Sequence, residues 1–351
     1  MERLKKNWWN FLGVLIVLYS IIAGMLIPLS PGIDSVSPTS IHSGKKLSLQ
    51  INGYNSSYLK AASSLKVWLK ADSSFFIPGQ IINIENETLF IAEFDIPESL
   101  PLKSKIIDFT LVVNNENDGS SILPSAVFVT QNPSDSEENI VIDSQVPSEL
   151  FPRKWVSFPY RNILKETIRN TYYHVPLWFS MIFIFFASVR LSIKTLRTKD
   201  LEYDRRASAY AAVGLLYGIL GVITGAIWAK NTWGAYWSFD VKQNMTAIAL
   251  LIYFAYFVLR SGFSDQDQKA KLSAVYNIFA FATLIPLLYI IPRLTDSLHP
   301  GSGGNPAFGG EDLDNTMRLV FYPAIIGWTL IGIWMSQLLY RFKRIENKIL
   351  F

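Results

Sequence analysis

The chain has 351 residues, half of them hydrophobic, and only 17% are charged, well below the roughly 25% of soluble domains. It contains no cysteine, which excludes disulfides, iron–sulfur clusters and cysteine-ligated zinc. The net charge of +4 is small, so where the charges lie is more informative than their sum. This composition indicates a membrane protein.

Six apolar runs are long enough to cross a hydrocarbon core about 30 Å thick, which takes roughly 20 helical residues. The backbone must satisfy its own hydrogen bonds in lipid, so we expect a transmembrane helix in each run. The first run has a basic start but no clear small-x-small cleavage motif, so we expect a retained anchor and not a signal peptide. The predicted spans lie within residues 7–32, 171–189, 207–229, 243–259, 272–292 and 319–340.

Lys and Arg are concentrated in the N-terminal flank, in the loops after the second and fourth spans, and after the sixth span. The short loops on the other side carry only four: Lys230, Lys242, Arg293 and Arg318. Because basic flanks stay in the cytoplasm, this bias predicts a protein of the cytoplasmic (inner) membrane with both termini on the cytoplasmic side. The loops after the third and fifth spans then face outward.

Residues 33–132 differ from the rest, with alternating segments such as KLSLQING, LKVWLKAD and IIDFTLVV separated by turn sequences. Short strands at this spacing predict a β-sandwich of about 100 residues. The opening IDSVSPTSIHSGKKLSLQINGYN resembles the first strands of IPT/TIG-type immunoglobulin-like domains. The expected fold is therefore mainly α: a six-helix transmembrane bundle with an inserted extracytoplasmic all-β (Ig-like) domain.

The stretch 133–170 is predicted to connect the β domain to the second span. Its first half is polar and acidic, which is typical of a linker. Its second half mixes aromatic and basic residues, which favours a partly helical segment lying on the membrane, although an ordinary loop fits as well. With the anchor at 1–32, the remaining domain is a five-span region at 171–351.

Two of the three histidines belong to the outer face of this topology. His174 lies at the outer end of the second span and His299 in the loop after the fifth, whereas His42 falls in the β domain as a surface residue. Beside them is the loop WGAYWSFD, residues 233–240. Two axial imidazoles, a wall of aromatic rings and a few cations suit a haem with its two propionates. Aromatic belts also form at membrane interfaces without any ligand.

WGAYWSFD resembles the tryptophan-rich WGxxWxWD signature of haem-handling proteins in cytochrome c biogenesis. YYHVP before the second span and SLHPG after the fifth resemble the two histidine motifs of that family, and six spans match its CcmC branch. The resemblance covers residues 165–345. Phe239 stands where the signature has its last Trp, Lys242 where the family often has Arg, and Pro300 where Gln is common.

The resemblance implies a haem-binding and transfer protein, not an enzyme, that passes haem b to a periplasmic CcmE-like chaperone. It implies ABC-type CcmA/CcmB-like subunits and a small single-span CcmD-like protein as partners, and no nucleic acid. His174 and His299 become the predicted iron ligands, and Asp240 braces the loop. The remaining predicted haem contacts are Trp233, Tyr236, Trp237, Phe239, Lys242 and Arg293.

Two other functions stay open on the sequence alone. A CcsA-like ligase would attach haem to apocytochrome c directly, although such proteins generally have more spans. A non-haem membrane receptor would use the β domain to bind its ligand. The glycine-rich stretch 301–314 is either a lid for haem or a passive linker.

Overall fold

The computed structural model describes residues 8–72, 75–100, 104–131, 150–152, 155–299 and 313–350, with side chains described up to 346. Six helices in these residues are long and apolar enough to cross a membrane, as predicted. They are α1 (Trp8–Leu26), α2 (His174–Thr198), α3 (Leu201–Trp233), α4 (Val241–Ser261), α5 (Gln266–Ile285) and α6 (Asn315–Leu350).

The chain divides into two compact units. One comprises Met1–Leu26 together with Thr167–Phe351 and contains the six helices. The other, Ile27–Glu166, contains the strands and is wider than the predicted 33–132. It is wider because the Ser30 N–H donates to the Phe158 carbonyl and the Phe158 N–H donates to the Pro28 carbonyl, which joins the two ends of the unit.

The β unit is an eight-stranded sheet with the order β1-β3-β6-β5-β4-β7-β8-β2. Its strands are β1 (Gly32–Ser37), β2 (Ser40–His42), β3 (Lys46–Tyr54), β4 (Lys66–Lys70), β5 (Phe76–Asn86), β6 (Leu89–Asp95), β7 (Ile106–Asn115) and β8 (Gly119–Thr130). In β3, Leu47, Leu49 and Ile51 are buried while the residues between them are exposed, which is the predicted alternation. The all-β character was therefore predicted correctly, whereas the immunoglobulin-like assignment stays a prediction.

The connection to α2 falls only partly within the described residues. The acidic linker at 133–149 lies outside them. Further on, a 3-10 helix occupies Lys165–Tyr172, where a partly helical segment was expected. Residues 155–166 belong to the β unit.

Helices α2 and α3 approach closely along a row of glycines. A Cβ added at Gly214, at Gly221 or at Gly225 would lie 2.7 Å from a side-chain atom of α2. A Cβ at Gly218 would lie 3.0 Å from Met181 Sδ, and also 2.4 Å from Leu250 Cδ2 of α4. The α2 residues seated on this row are, in order, Phe185, Met181, Trp178 and His174. The spacing of both sets, four, three and four residues, keeps each on one face of its helix.

The end of α5 is irregular. A π turn over Pro286–Ile290 follows the α-helix, and a 3-10 turn over Ile291–Arg293 follows the π turn. Single π turns occur frequently near functional sites. This irregular segment leads directly into the loop that carries His299.

Candidate functional site

The three predicted motifs meet at one end of the helical unit. His174 is the first residue of α2, the aromatic loop joins α3 to α4, and His299 follows the 3-10 turn after α5. The imidazole rings of His174 and His299 lie with their centroids 6.4 Å apart and their planes 31° from parallel. Side chains separated by 125 positions in the sequence therefore face each other.

The ring of His174 is held through both nitrogens. Its Nδ1 lies 3.1 Å from Thr224 Oγ1, and the Trp178 indole N–H donates to its Nε2 at 3.2 Å. The Thr224 hydroxyl donates to carbonyl oxygens of its own helix, so its oxygen accepts from Nδ1–H. This network assigns the proton to Nδ1 and the free lone pair to Nε2.

His299 lies against two tryptophans of α3. Its ring centroid is 5.5 Å from that of Trp228 and 5.7 Å from that of Trp233. The two indoles contact each other edge to face at 4.9 Å. The backbone N–H of His299 donates to Ser297 Oγ at 3.1 Å, which fixes the turn just before the ring.

Asp240 connects the aromatic loop to the His299 loop. One carboxylate oxygen accepts from Lys242 N at 2.9 Å, which caps α4, and from Ser297 Oγ at 3.0 Å. The other accepts from Leu298 N at 2.9 Å. The buried carboxylate thus braces both loops, the role predicted for it.

The other aromatic residues of the loop are placed differently. The Trp237 indole donates to Asn244 Oδ1 at 3.3 Å and so faces the first turn of α4. Tyr236 is 60% exposed and Phe239 78% exposed. Phe239 has a positive φ of 57°, and its carbonyl accepts from the Asn244 amide. Tyr236 and Phe239 therefore present open apolar surface next to the histidines' end of the bundle.

The two predicted propionate partners flank this end. Lys242 lies in the first turn of α4, and Arg293 ends the 3-10 turn after α5. Among the described residues neither side chain forms a salt bridge or a side-chain hydrogen bond. Lys230 is instead engaged by the Gly234 carbonyl, and Arg318 by Asn315.

The sequence analysis missed four residues that shape the site: Trp178, Thr224, Gly225 and Trp228. Trp178 is four residues after His174, so a helical repeat could have placed both on one face. Trp228 is five residues before Trp233 on the same helix, and its position was not marked by any motif. The glycine row on α3 is visible in the sequence, but the sequence alone does not show that it packs against α2.

Six membrane-crossing helices, two converging histidines and a braced tryptophan-rich loop define a multi-pass membrane protein with its site at one end of the bundle. The chain belongs to the CcmC family, heme exporter protein C, whose model matches residues 155–350. It is thus a CcmC-type cytochrome c biogenesis protein. The β unit before residue 155 and helix α1 lie outside the matched region.

Three relatives show how far the similarity extends. The chain is 23% identical to heme exporter protein C of Haemophilus influenzae over 182 residues, which cover 52% of this chain and 73% of that protein. It is 28% identical to heme exporter protein C of Bradyrhizobium diazoefficiens, over 47% of this chain and 62% of the relative. Over 81 residues it is 39% identical to cytochrome c biogenesis protein CcsA of Synechococcus sp., over 23% of this chain and 27% of that protein.

Proposed function

We propose that this protein binds haem between His174 and His299 and delivers it to a periplasmic haem chaperone for cytochrome c maturation. The names of its relatives, heme exporter protein C and cytochrome c biogenesis protein, support a role in haem delivery. The observation that carries the proposal is the approach of two imidazoles from distant parts of the chain, 6.4 Å apart between centroids.

That separation fits one iron held from both faces. A ligating imidazole nitrogen lies about 2 Å from its metal, so two rings on opposite sides have centroids roughly 6 Å apart. The network around His174 leaves the lone pair on Nε2, the form in which imidazole binds a metal. Nε2 of His174 would hold a haem iron in place of the hydrogen bond from Trp178, and Thr224 would still orient the ring from Nδ1.

The aromatic residues suit a flat apolar cargo. Trp233, with Trp228 beside it, supplies a wall next to His299. Trp237 ties the loop to the first turn of α4 through its hydrogen bond to Asn244. Tyr236 and Phe239 are exposed enough to contact haem and its acceptor together, which gives the acceptor an apolar surface to dock on.

The charged residues suit the propionates. Lys242 and Arg293 form no salt bridge among the described residues, so their charges are available to a bound carboxylate. Asp240 is committed to the Ser297 hydroxyl and to the backbone N–H groups of Leu298 and Lys242, and it acts by holding the loops, not by touching haem.

We further propose that the cargo is haem b, bound transiently, and that the protein is a carrier and not an enzyme. ABC-type subunits and a small single-span protein of the same system are the proposed partners, and the cytoplasmic membrane, with both termini inside, is the proposed location. Family membership supports the system, and the six helices support the membrane.

A second candidate is a CcsA-like ligase that attaches haem to apocytochrome c. The observation that favours it is the 39% identity to CcsA, higher than to the exporter relatives but confined to 81 residues. Crosslinking from a photoreactive residue at Phe239 separates the two functions. Capture of a haem chaperone supports delivery, whereas capture of apocytochrome c supports ligation.

The ligand assignment is tested by optical and paramagnetic resonance spectra of the purified protein loaded with haemin. We expect a low-spin spectrum typical of two imidazole ligands, and its loss or alteration in His174→Ala and in His299→Ala. His42→Ala, which changes the histidine of the β unit, is the matched control and keeps the spectrum. An unchanged spectrum in both site variants would remove the ligand pair.

A further inference from the structure

The start of α2 has no side-chain N-cap. His174 is its first residue, and the preceding Tyr173 provides no side-chain capping hydrogen bond. The 3-10 helix Lys165–Tyr172 runs directly into α2, and the Tyr173 N–H donates to the Asn170 carbonyl, so whatever holds this segment also sets where α2 begins. His174 nevertheless has to stand at a fixed place to meet His299.

The last turns of α1 hold the segment just before α2 through two side-chain hydrogen bonds. Arg169, in the 3-10 helix before α2, donates from Nη1 to the Gly24 carbonyl at 2.8 Å. The Tyr173 hydroxyl donates to the Ile21 carbonyl at 3.3 Å. The carbonyls of the last helical turn are free to accept, and a cation there is favoured by the helix dipole.

The packing at this contact is tight. A Cβ added at Gly24 would lie 3.0 Å from Tyr173 Oη and 3.1 Å from Tyr172 Cδ2. Tyr172 is fully buried. Because Gly24 has no side chain, the two tyrosines before His174 rest directly on the α1 backbone.

Helix α1 is itself fixed along α6, so it offers a rigid support. A Cβ at Gly13 would lie 2.9 Å from Leu330 Cβ, and one at Gly327 would lie 3.1 Å from the Val17 backbone nitrogen. Tyr19 also donates to the Leu319 carbonyl at 3.1 Å. Because these contacts hold α1 against α6, we expect a substitution at the end of α1 to displace Tyr173 and His174, and not α1 itself.

We infer that Arg169 and Gly24 are positioning residues for the haem ligand His174. Helix α1 acts as a strut whose C-terminal end fixes the start of α2. The inference rests on the proposed role of His174 in binding haem. Neither the family match, which begins at residue 155, nor the histidine motifs assign anything to α1.

The test uses the full-length protein purified in detergent and haemin as the probe. In Arg169→Gln we expect about tenfold weaker haemin binding, the effect of losing one hydrogen bond from a charged donor, and a reduced low-spin fraction. Arg169→Lys keeps a charged donor and restores most of both. Gly24→Val produces the same change from the α1 side.

Two matched controls separate position from stability. Arg197→Gln removes an exposed arginine at the other end of α2, and Gly262→Ala adds a Cβ at the end of α4 whose nearest neighbour is the Leu259 carbonyl at an ordinary 3.5 Å. Both are expected to bind haemin as the wild type does. Helix content and the thermal midpoint stay close to wild type in all variants, so the spectral change reports the position of His174.

A second readout does not depend on haem. Hydrogen exchange of the peptide covering residues 172–178 is expected to be faster in Arg169→Gln and Gly24→Val than in the wild type and in both controls. Unchanged exchange and an unchanged haemin spectrum in these two variants would overturn the inference, even with His174→Ala losing the spectrum. If His174→Ala keeps its spectrum, the proposed function fails, and the exchange data alone decide whether α1 fixes the start of α2.

Discussion

The imidazole of His174 is held at Nδ1 by Thr224 and at Nε2 by Trp178, so its tautomer and its orientation are set before any ligand arrives. Thr224 and Trp178 differ in whether their hydrogen bonds are compatible with a metal bound at Nε2. The Thr224 contact is compatible with a metal at Nε2, whereas the indole N–H competes with the metal for the same lone pair. Trp178 therefore occupies the lone pair of the proposed ligating nitrogen until a metal binds there.

Trp178→Phe removes this competition while keeping a ring over Gly221. We expect haemin to bind about fivefold more tightly, because one neutral hydrogen bond of about 1 kcal/mol no longer has to be broken. Haemin titration followed in the Soret band measures the change. Trp334→Phe on α6 is the control. Weaker binding in Trp178→Phe alone would show that the indole is needed to hold the ring.

A buried ion pair fastens the opposite end of the bundle. Arg260 at the end of α4 donates from both terminal nitrogens to Asp204 near the start of α3, at 2.6 and 2.8 Å. Only about a tenth of either side chain is exposed. Asp204→Asn leaves the guanidinium without its counter-charge, and we expect a loss of about 3 kcal/mol in the free energy of unfolding of the helices.

Glu202→Gln, two residues away, is the control for this prediction. Glu202 pairs with Arg206 on the exposed side of α3, where loss of the pair costs under about 1 kcal/mol. Unfolding in mixed detergent, followed by circular dichroism, compares the two variants. Equal stability of Asp204→Asn and Glu202→Gln would contradict a structural role for the buried pair.

Single residues were predictable where a motif marked them and where topology brought the motifs together. His174 and His299 were identified by their motifs, and positive charges in the loops placed both on one face. Trp228 and Thr224 were not predictable, because a Trp or a Thr inside an apolar helix has no distinct pattern. Their importance follows from the helix face they share with Gly225, which only the packing of α2 on α3 reveals.

At the level of elements, the glycine row of α3 brings the helices close enough for His174 to reach Thr224. The hydropathy of residues 207–229 predicted a span but not which face of it meets α2. Four glycines at matching spacings contain that information, but without the facing side chains of α2 they are indistinguishable from glycines that merely suit a membrane helix.

The β unit carries an acid-sensitive contact at its joined ends. Asp34 of β1 accepts hydrogen bonds from Tyr160 and Lys165, with Lys165 Nζ at 2.9 Å. Burial raises the pKa of Asp34, but the hydrogen bonds from Tyr160 and Lys165 and the Lys165 charge outweigh burial and hold it below its ordinary value of 3.8. A depressed folded-state pKa gives stability that is complete above the unfolded value and is lost as the pH falls through the folded value.

We therefore expect Asp34→Asn to lower hydrogen-exchange protection of β1 and β3 at neutral pH, and to have a smaller effect at a pH well below the ordinary pKa of 3.8. Protection factors corrected for intrinsic exchange rates measure this difference. Asp95→Asn, at an exposed pair with Lys46, is the control. The same deficit in Asp34→Asn at both pH values would rule out the ionised carboxylate as its cause.

For the whole molecule, the sequence predicted the number and approximate limits of the spans because lipid demands long uninterrupted apolar runs. It could not predict the limits of the β unit. Those limits depend on the backbone of Phe158 pairing with Pro28 and Ser30, and backbone pairing between distant segments leaves no trace in composition. The orientation in the membrane is still a prediction from charge.

Because the chain has no cysteine, single introduced thiols report that orientation directly. We expect Ala235→Cys, in the loop between α3 and α4, to react with an impermeant thiol reagent in intact spheroplasts. Lys199→Cys, between α2 and α3, is expected to react only after permeabilisation. The opposite pattern would place the histidines on the cytoplasmic side and exclude delivery to a periplasmic acceptor.

The π turn at Pro286–Ile290 makes the chain unusually sensitive to length at one point. Its hydrogen bonds close one residue further along than those of an α turn, so it behaves as a one-residue insertion. Removing one residue there would turn everything downstream through about 100° and carry Ser297 and Leu298 off the Asp240 carboxylate. The number of residues in Pro286–Ile290, more than their identity, sets the position of the His299 imidazole. Among related sequences we therefore expect substitutions in this π turn to be far more common than insertions or deletions.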